Sequence, residues 1–386
     1  MDFSEYFEPV NINEGDLNFD YKDNQFLNSI ELLEDQDVSE FNIAIIGVGE
    51  ERNSYNIGCA DSPNEVRKYL YRLISHNSPT KIIDLGNLKI GATTNDSYFA
   101  LSSIIEFLVK KNVLPIIIGG SQDLTYANFL GYKNLEQTVN LVAIDSKFNL
   151  GEADEEIDSN NFLTKIILHQ PNFLFNYSNI GYQSYFTDKE EVELMSKLYF
   201  DAYRLGQVQK DIEEVEPIVR NADIVSFDVS AIRQSDAPGN KNTSPNGFYG
   251  EQGCQISRYA GLSDKVTSIG FYEINPELDS NGQTAHSAAQ MIWYFIDGYN
   301  HRKNDFPVGS RKNYLKYIVN MHDGKNEVVF YKSDKSERWW MDVPFPSHNK
   351  IKFERHVLVP CSYKDYKTAC DNEVPNRWWQ TFQKLS

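Results

Sequence analysis

Residues 142–151 read VAIDSKFNLG. The apolar run Val142–Ile144 predicts the end of a strand buried on both faces, since no polar residue interrupts it. That strand delivers Asp145 to its carboxyl end, with Lys147 two residues on and, by the two-residue period of a strand, on the same side. Ligands of an open parallel sheet bind outside the carboxyl ends of its strands. An ammonium beside a carboxylate at that place is therefore the feature to explain.

Outward from this stretch, short β-rich runs recur: NIAIIG (42–47), KIIDLG (81–86), VLPIIIGG (113–120), VNLVAID (139–145), SNIGYQ (178–183), FDAYRLG (200–206), ADIVSFDVS (222–230) and VTSIGFYE (266–273). Segments with helical apolar spacing separate most of them. This alternation predicts crossover units and a three-layer α/β/α domain around an eight-stranded, mainly parallel sheet. In DSPNEVRKYLYRL, Ser62 as cap, Pro63 in the first turn and Glu65 completing a capping box predict a helix running to about Leu73. TAHSAAQMIWYFIDGY (284–299) predicts a second, with Gly298 as its C-terminal stop.

The chain has 386 residues, a formal charge of −18 and 41% hydrophobic residues, ample for a core. Residues 1–40 carry −11, residues 300–386 carry +6 and the middle −13. That balance disfavours nucleic acid as a partner, because phosphate binding needs a concentrated basic face. Cys59, Cys254, Cys361 and Cys370 form no CxxC pair, which argues against a disulfide framework or zinc knuckle and for a reducing compartment. No signal-peptide pattern opens the chain and no run approaches the roughly 20 apolar residues of a membrane span, so the expectation is a soluble cytoplasmic protein. Three segments are expected: an acidic arm (1–40), an α/β domain (41–300) and an extension (301–386) holding the pairs Trp339–Trp340 and Trp378–Trp379. Such aromatics either pack against the α/β body or form a partner surface.

Four strand ends carry the candidate chemistry: IIIGGSQDLTY (116–126), VAIDSKFNLG (142–151), IVSFDVSAIRQSDAPG (224–239) and IGFYEINPELD (269–279). In order and framing they resemble the strand ends of the ureohydrolase superfamily of arginase, agmatinase and formimidoylglutamase, which read Gly-Gly-x-His, Asp-x-His-x-Asp, Ser-Phe-Asp-x-Asp leading to Pro-Gly, and Glu-x-Asn-Pro. Gly58, Pro63 and Arg67 match that superfamily's Gly-x-x-x-x-Pro-x-x-x-Arg helix. The resemblance implies two Mn²⁺ ions held by two His and four Asp, with a bridging water that attacks a guanidine or amidine carbon, and assembly into trimers or hexamers.

The chain departs from that pattern at the ligands themselves. Gln122, Lys147, Asn149 and Ser230 stand at four of the six side-chain positions, and only Asp145 and Asp228 remain as carboxylates. Two carboxylates cannot neutralise a pair of divalent ions. An ammonium about 4 Å from such an ion would be repelled by several kcal/mol. The expectation is that Lys147 replaces the metal, its ammonium between Asp145 and Asp228; otherwise it points to solvent. Glu273 matches the superfamily's substrate-orienting glutamate and is expected to face a cation, Lys147 or Arg233. Asp123 reads as part of a helix start. The histidines His76, His169, His286, His301, His322, His348 and His356 show no ligand spacing; His286 reads as packing, and His169 is the one placed where the superfamily keeps a proton shuttle. These residues support a catalytically inactive protein, without cofactor, that binds a protein partner through its arm or extension. The alternative is a manganese-dependent hydrolase of linear amidines or guanidines, and a third reading is a sensor that binds a cationic ligand without turnover.

Overall fold

Strands buried on both faces need mostly apolar side chains; each of the eight runs above forms a strand, and all but the edge strand at 201–204 are largely buried. The computed structural model describes residues 1–13, 15–307, 311–321, 326–344 and 354–385. Two short strands of the arm, β1 (Phe7–Glu8) and β2 (Glu31–Leu32), precede β3 (Ile43–Val48), β4 (Ile82–Leu88), β5 (Leu114–Gly119), β6 (Val139–Ile144), β7 (Leu174–Tyr182), β8 (Asp201–Arg204), β9 (Ile224–Asp228) and β10 (Ser268–Tyr272). The eight longer strands pair in the order β4-β3-β5-β10-β9-β6-β7-β8, all parallel. The chain starts near one side, jumps across to β6 and returns through β9 and β10. The ends of β5, β10, β9 and β6 thereby become neighbours.

Side chains alternate between two cores, one on each face. Ile43, Ile45, Ile116, Ile118, Val142 and Ile144 pack with helices 62–70, 250–262 and 283–300, whereas Ala44, Ile46, Ile117, Leu141 and Ala143 pack with helices 94–110, 124–130 and 162–168. This is a three-layer α/β/α arrangement.

The arm lies on its own chain. β1 pairs antiparallel and β2 parallel with β4, extending the sheet to ten strands, and Phe3, Phe7, Phe26, Leu27, Leu33 and Val38 are buried there. Pairing of this kind covers a sheet edge that would otherwise be open.

Two helix signals act differently from their reading. Ser62 makes no cap; its Oγ donates to Gly119 O at 2.7 Å, and the helix ends at Leu70. Gly298 does not stop its helix, which spans Gln283–Asn300, but lets it approach helix 250–262 so closely that a Cβ would lie 2.3 Å from Arg258 O. Arg67 is fully buried and clamps Asp84 through two bonds of 2.8 and 2.9 Å, with Tyr71 Oη donating to the same carboxylate.

The extension forms a second sheet, β11 (Tyr314–Met321), β12 (Asn326–Ser333), β13 (Trp339–Asp342) and β14 (Leu358–Cys361), antiparallel throughout, followed by helices 363–370 and 376–385. Trp339 and Trp340 are buried, and Arg220 of the α/β domain stacks 4.4 Å over Trp340. Trp378 Nε1 donates to Asp342 O, leaving Trp379 as the exposed member of the four. The tryptophan pairs therefore chiefly hold the extension together and against the body. His322 and His348 lie outside the described residues. No described helix is long and apolar enough to cross a membrane. The four cysteines are free thiols.

Candidate functional site

Each strand of the central quartet ends in one polar group aimed at the same place. Asp145 follows β6, Gln122 follows β5, Asp228 closes β9 and Glu273 follows β10, and all four are buried. Neighbouring registers such as Tyr272 beside Asp228 and Ile144 beside Phe227 bring them together. Of the residues expected at the site, Gln122, Asp145, Asn149 and Glu273 form one hydrogen-bonded group, with Asp228 and Ser230 beside it.

Asn149 organises that group. Its backbone takes the left-handed φ of +56°, a region Asn tolerates better than most residues. The turn sends its amide back, so that Nδ2 donates to Asp145 Oδ2 at 2.6 Å and to Gln122 Oε1 at 2.9 Å. The other Asp145 oxygen accepts the Lys147 backbone N–H at 2.9 Å. Asp228 Oδ1 accepts the Ser230 N–H at 2.7 Å, and the Ser146 and Ser230 hydroxyls meet at 3.5 Å.

Lys147 does not occupy the ion's place. Its ammonium lies 6.0 Å from the Phe186 ring centroid, half-buried, and among the described residues it pairs with no carboxylate within 4.0 Å. The backbone explains this: Asn179 Nδ2 holds the Lys147 carbonyl at 2.6 Å, while the Asn149 amide fills the space beside Asp145. An amide also enters such a site without the desolvation penalty of a full charge.

Glu273 likewise faces no cation. It sits at φ +64°, and its carboxylate accepts the Gln122 N–H at 2.8 Å and the Ser54 hydroxyl at 3.0 Å. Arg233 instead pairs with Asp236 at 2.9 Å and stacks on Tyr249. Burial pushes Glu273 up to about 7. Burial also raises Asp145, and raises Asp228 well above the carboxylate range, with the Asp145 and Glu273 charges adding to the latter. Three buried carboxylates without an ion-paired cation titrate in this direction because desolvation and like charge both favour the neutral acid.

Several residues here carried no sequence signal. Ser54 and Asn56 come from the loop after β3, and Asn56 and Asn240 both donate to Glu273 O, at 2.9 and 2.7 Å. Only Asn240 had a pointer, as the residue after the Pro238–Gly239 turn. Gly58 shows why its motif and Glu-x-Asn-Pro occur together: at φ +108° a Cβ would sit 2.6 Å from Asn275 Oδ1. Asp123 makes no cap bond and instead accepts from the Tyr98 and Ser121 hydroxyls. His286 stacks on Tyr69, and His169 packs against Tyr126, Phe129 and Phe173.

This arrangement does not fit a manganese pair. Each Asp145 oxygen and Gln122 Oε1 already accepts an N–H, and of the six ligand positions only Asp145 and Asp228 carry a carboxylate, too little negative charge to hold two divalent ions. Among the described residues no group of three or more His, Cys, Asp or Glu side chains is placed to hold a metal ion.

A parallel α/β/α sheet whose central strand ends converge on buried carboxylates defines the class: a ureohydrolase-like fold. The arginase family matches residues 41–297, and the chain belongs to that family. The formimidoylglutamase of Staphylococcus haemolyticus is 25% identical over 259 residues, covering 64% of this chain and 82% of that one. That of Lysinibacillus sphaericus is 23% identical over 267 residues, covering 65% and 82%. Among solved structures, formimidoylglutamase from Bacillus subtilis superposes with a TM-score of 0.67 at 17% identity, covering 76% of this chain and 96% of that one. The Trypanosoma cruzi formiminoglutamase crystallised with Mn²⁺ does so at 0.65 and 19%, covering 69% and 96%.

Proposed function

We propose that this chain is a non-hydrolytic member of the arginase family, without a metal centre, acting as a binding subunit for a protein partner. The observation that supports this reading is the closed amide network of Gln122, Asp145 and Asn149 at positions where the superfamily places metal ligands. A partner surface on the extension draws support from its exposed apolar residues, Leu315, Ile318, Tyr363 and Trp379.

Kinship favours a second reading, a metal-dependent hydrolase of linear amidines or guanidines. The curated relatives above are named formimidoylglutamase, the Trypanosoma cruzi relative was crystallised with Mn²⁺, and Glu273 stands at the matching strand end. One experiment separates the two. Protein expressed in manganese-supplemented medium is assayed for bound metal and for release of formamide, urea or ammonia from formimidoylglutamate, arginine and agmatine. The first reading expects less than 0.1 metal per chain, as a rough threshold, and no release. Stoichiometric manganese with turnover establishes the second. The combined variant Gln122→His, Lys147→His, Asn149→Asp, Ser230→Asp serves as the positive control and is expected to gain manganese.

A further inference from the structure

One place along the sheet from the converged carboxylates, outside the ends of β7 and β8, lies a separate cavity of about 320 Å³. Its chemistry is the opposite of theirs. Arg204, at the end of β8, and Arg233, on the turn after β9, both line it. Arg204 is exposed, and its guanidinium makes no hydrogen bond or ion pair among the described residues. Arg233 uses only Nε, toward Asp236, so its terminal nitrogens remain available. In a chain of net charge −18, two guanidiniums lining one cavity whose walls hold no carboxylate among the described residues, Asp236 pairing with Arg233 alone, form a local field attractive to anions.

The walls are held in place. Gln183 Nε2 donates to Asn246 O at 3.2 Å and Gln209 Nε2 to Gly247 O at 2.9 Å, tying the loop before helix 250–262 to β7 and to helix 205–210. Gly181, at φ +108°, allows Phe248 to within 2.6 Å of where its Cβ would be, which seats the same loop. The Tyr185 hydroxyl donates to Gln183 Oε1, and Tyr249 lies under Arg233 at 4.1 Å. Guanidinium groups recognise carboxylate and phosphate oxygens through paired N–H donors, and aromatic faces accept a planar body. A volume near 300 Å³ is of small-ligand size.

We propose that this cavity binds a small organic anion, its carboxylate or phosphate held by Arg204 and Arg233 and its planar part against Tyr185 and Tyr249. This site uses none of the residues of the carboxylate cluster and stands whether or not the chain hydrolyses anything. The test is titration calorimetry of the full chain with four probes: inorganic phosphate, succinate, phenyl phosphate and benzoate. At least one aromatic anion is expected to bind several-fold more tightly than its non-aromatic counterpart, the phosphate and carboxylate pairs distinguishing the headgroup. Arg204→Gln and Arg233→Gln are each expected to weaken that binding at least tenfold. Arg204 has no partner whose loss would unfold the chain, so Arg204→Gln should keep the parent melting temperature and remain interpretable. No binding by any probe at millimolar concentration overturns the proposal, as does parental affinity in Arg204→Gln.

Discussion

Glu273 shows how much one buried acid can say. Its folded pKa of about 7 lies above the unfolded value of about 4.5, so between those values the folded state holds a proton that the unfolded state has lost. Stability from this group is full below about pH 4.5, declines as pH rises toward 7 and then levels off. Glu273→Gln keeps an acceptor for the Gln122 N–H and removes the charge. It is expected to flatten the decline and to raise stability at pH 8 by roughly 1–3 kcal/mol, read by urea denaturation at pH 5 and pH 8. An unchanged pH profile would show that the carboxylate is already compensated. Asn149→Asp acts in the reverse sense: it replaces the donor to Asp145 and Gln122 by another carboxylate, and is expected to cost about 2–4 kcal/mol at pH 8 and less at pH 5. Legibility at this scale was uneven. The identities of Gln122, Asn149 and Ser230 were legible as departures from the superfamily's ligand pattern, because residue type can be read directly from the sequence. Where Lys147 would point was not legible, since a positive φ at Asn149 and the Asn179 bond to the Lys147 carbonyl decide it.

Elements were legible where periodicity is strong. The central parallel strands β3, β5, β6, β9 and β10 stood out because both of their faces are buried, whereas the edge strand β8 (DAYR) is only half-buried and ends at the exposed Arg204. Boundaries were less so: Gly298 reads as a helix stop by its intrinsic preference, yet its helix continues to Asn300 because helix 250–262 packs on it. Gly261 completes that contact, its Cβ position falling 2.0 Å from Phe295 O. Replacing Gly298 by Ala in a helix gains up to about 1 kcal/mol of propensity. Here it forces a methyl into backbone, which costs about 1–3 kcal/mol or more. Overpacking is expected to win, so Gly298→Ala should lower the melting temperature in a calorimetric scan. A rise would mean that the two helices can separate at little cost.

At the scale of the whole molecule, the extension is joined to the α/β body by charge as well as by aromatic packing. Asp223, fully buried, pairs with Lys265 at 3.4 Å and with Arg355 at 2.7 Å, and Arg377 spans Glu214 and Asp365 at 3.0 Å each. Asp223→Ala leaves Lys265 buried without its carboxylate and is expected to cost about 3–5 kcal/mol. Because the Asp223–Arg355 and Glu214–Arg377 pairs cross between the α/β body and the extension, the intact chain is expected to melt in one calorimetric transition. Two well-separated transitions would show that the extension unfolds independently. The sequence by itself determined the layered parallel sheet, since the central strands, buried on both faces, demand mostly apolar runs, and the departure of Gln122, Lys147, Asn149 and Ser230 from the superfamily's His and Asp pattern, since residue type is read directly. Only the tertiary structure decided that the acidic arm closes the β4 edge, that Lys147 turns away from the carboxylates, and that Arg204 and Arg233 share a cavity. Those outcomes depend on pairings between residues far apart in the chain, which no local pattern encodes.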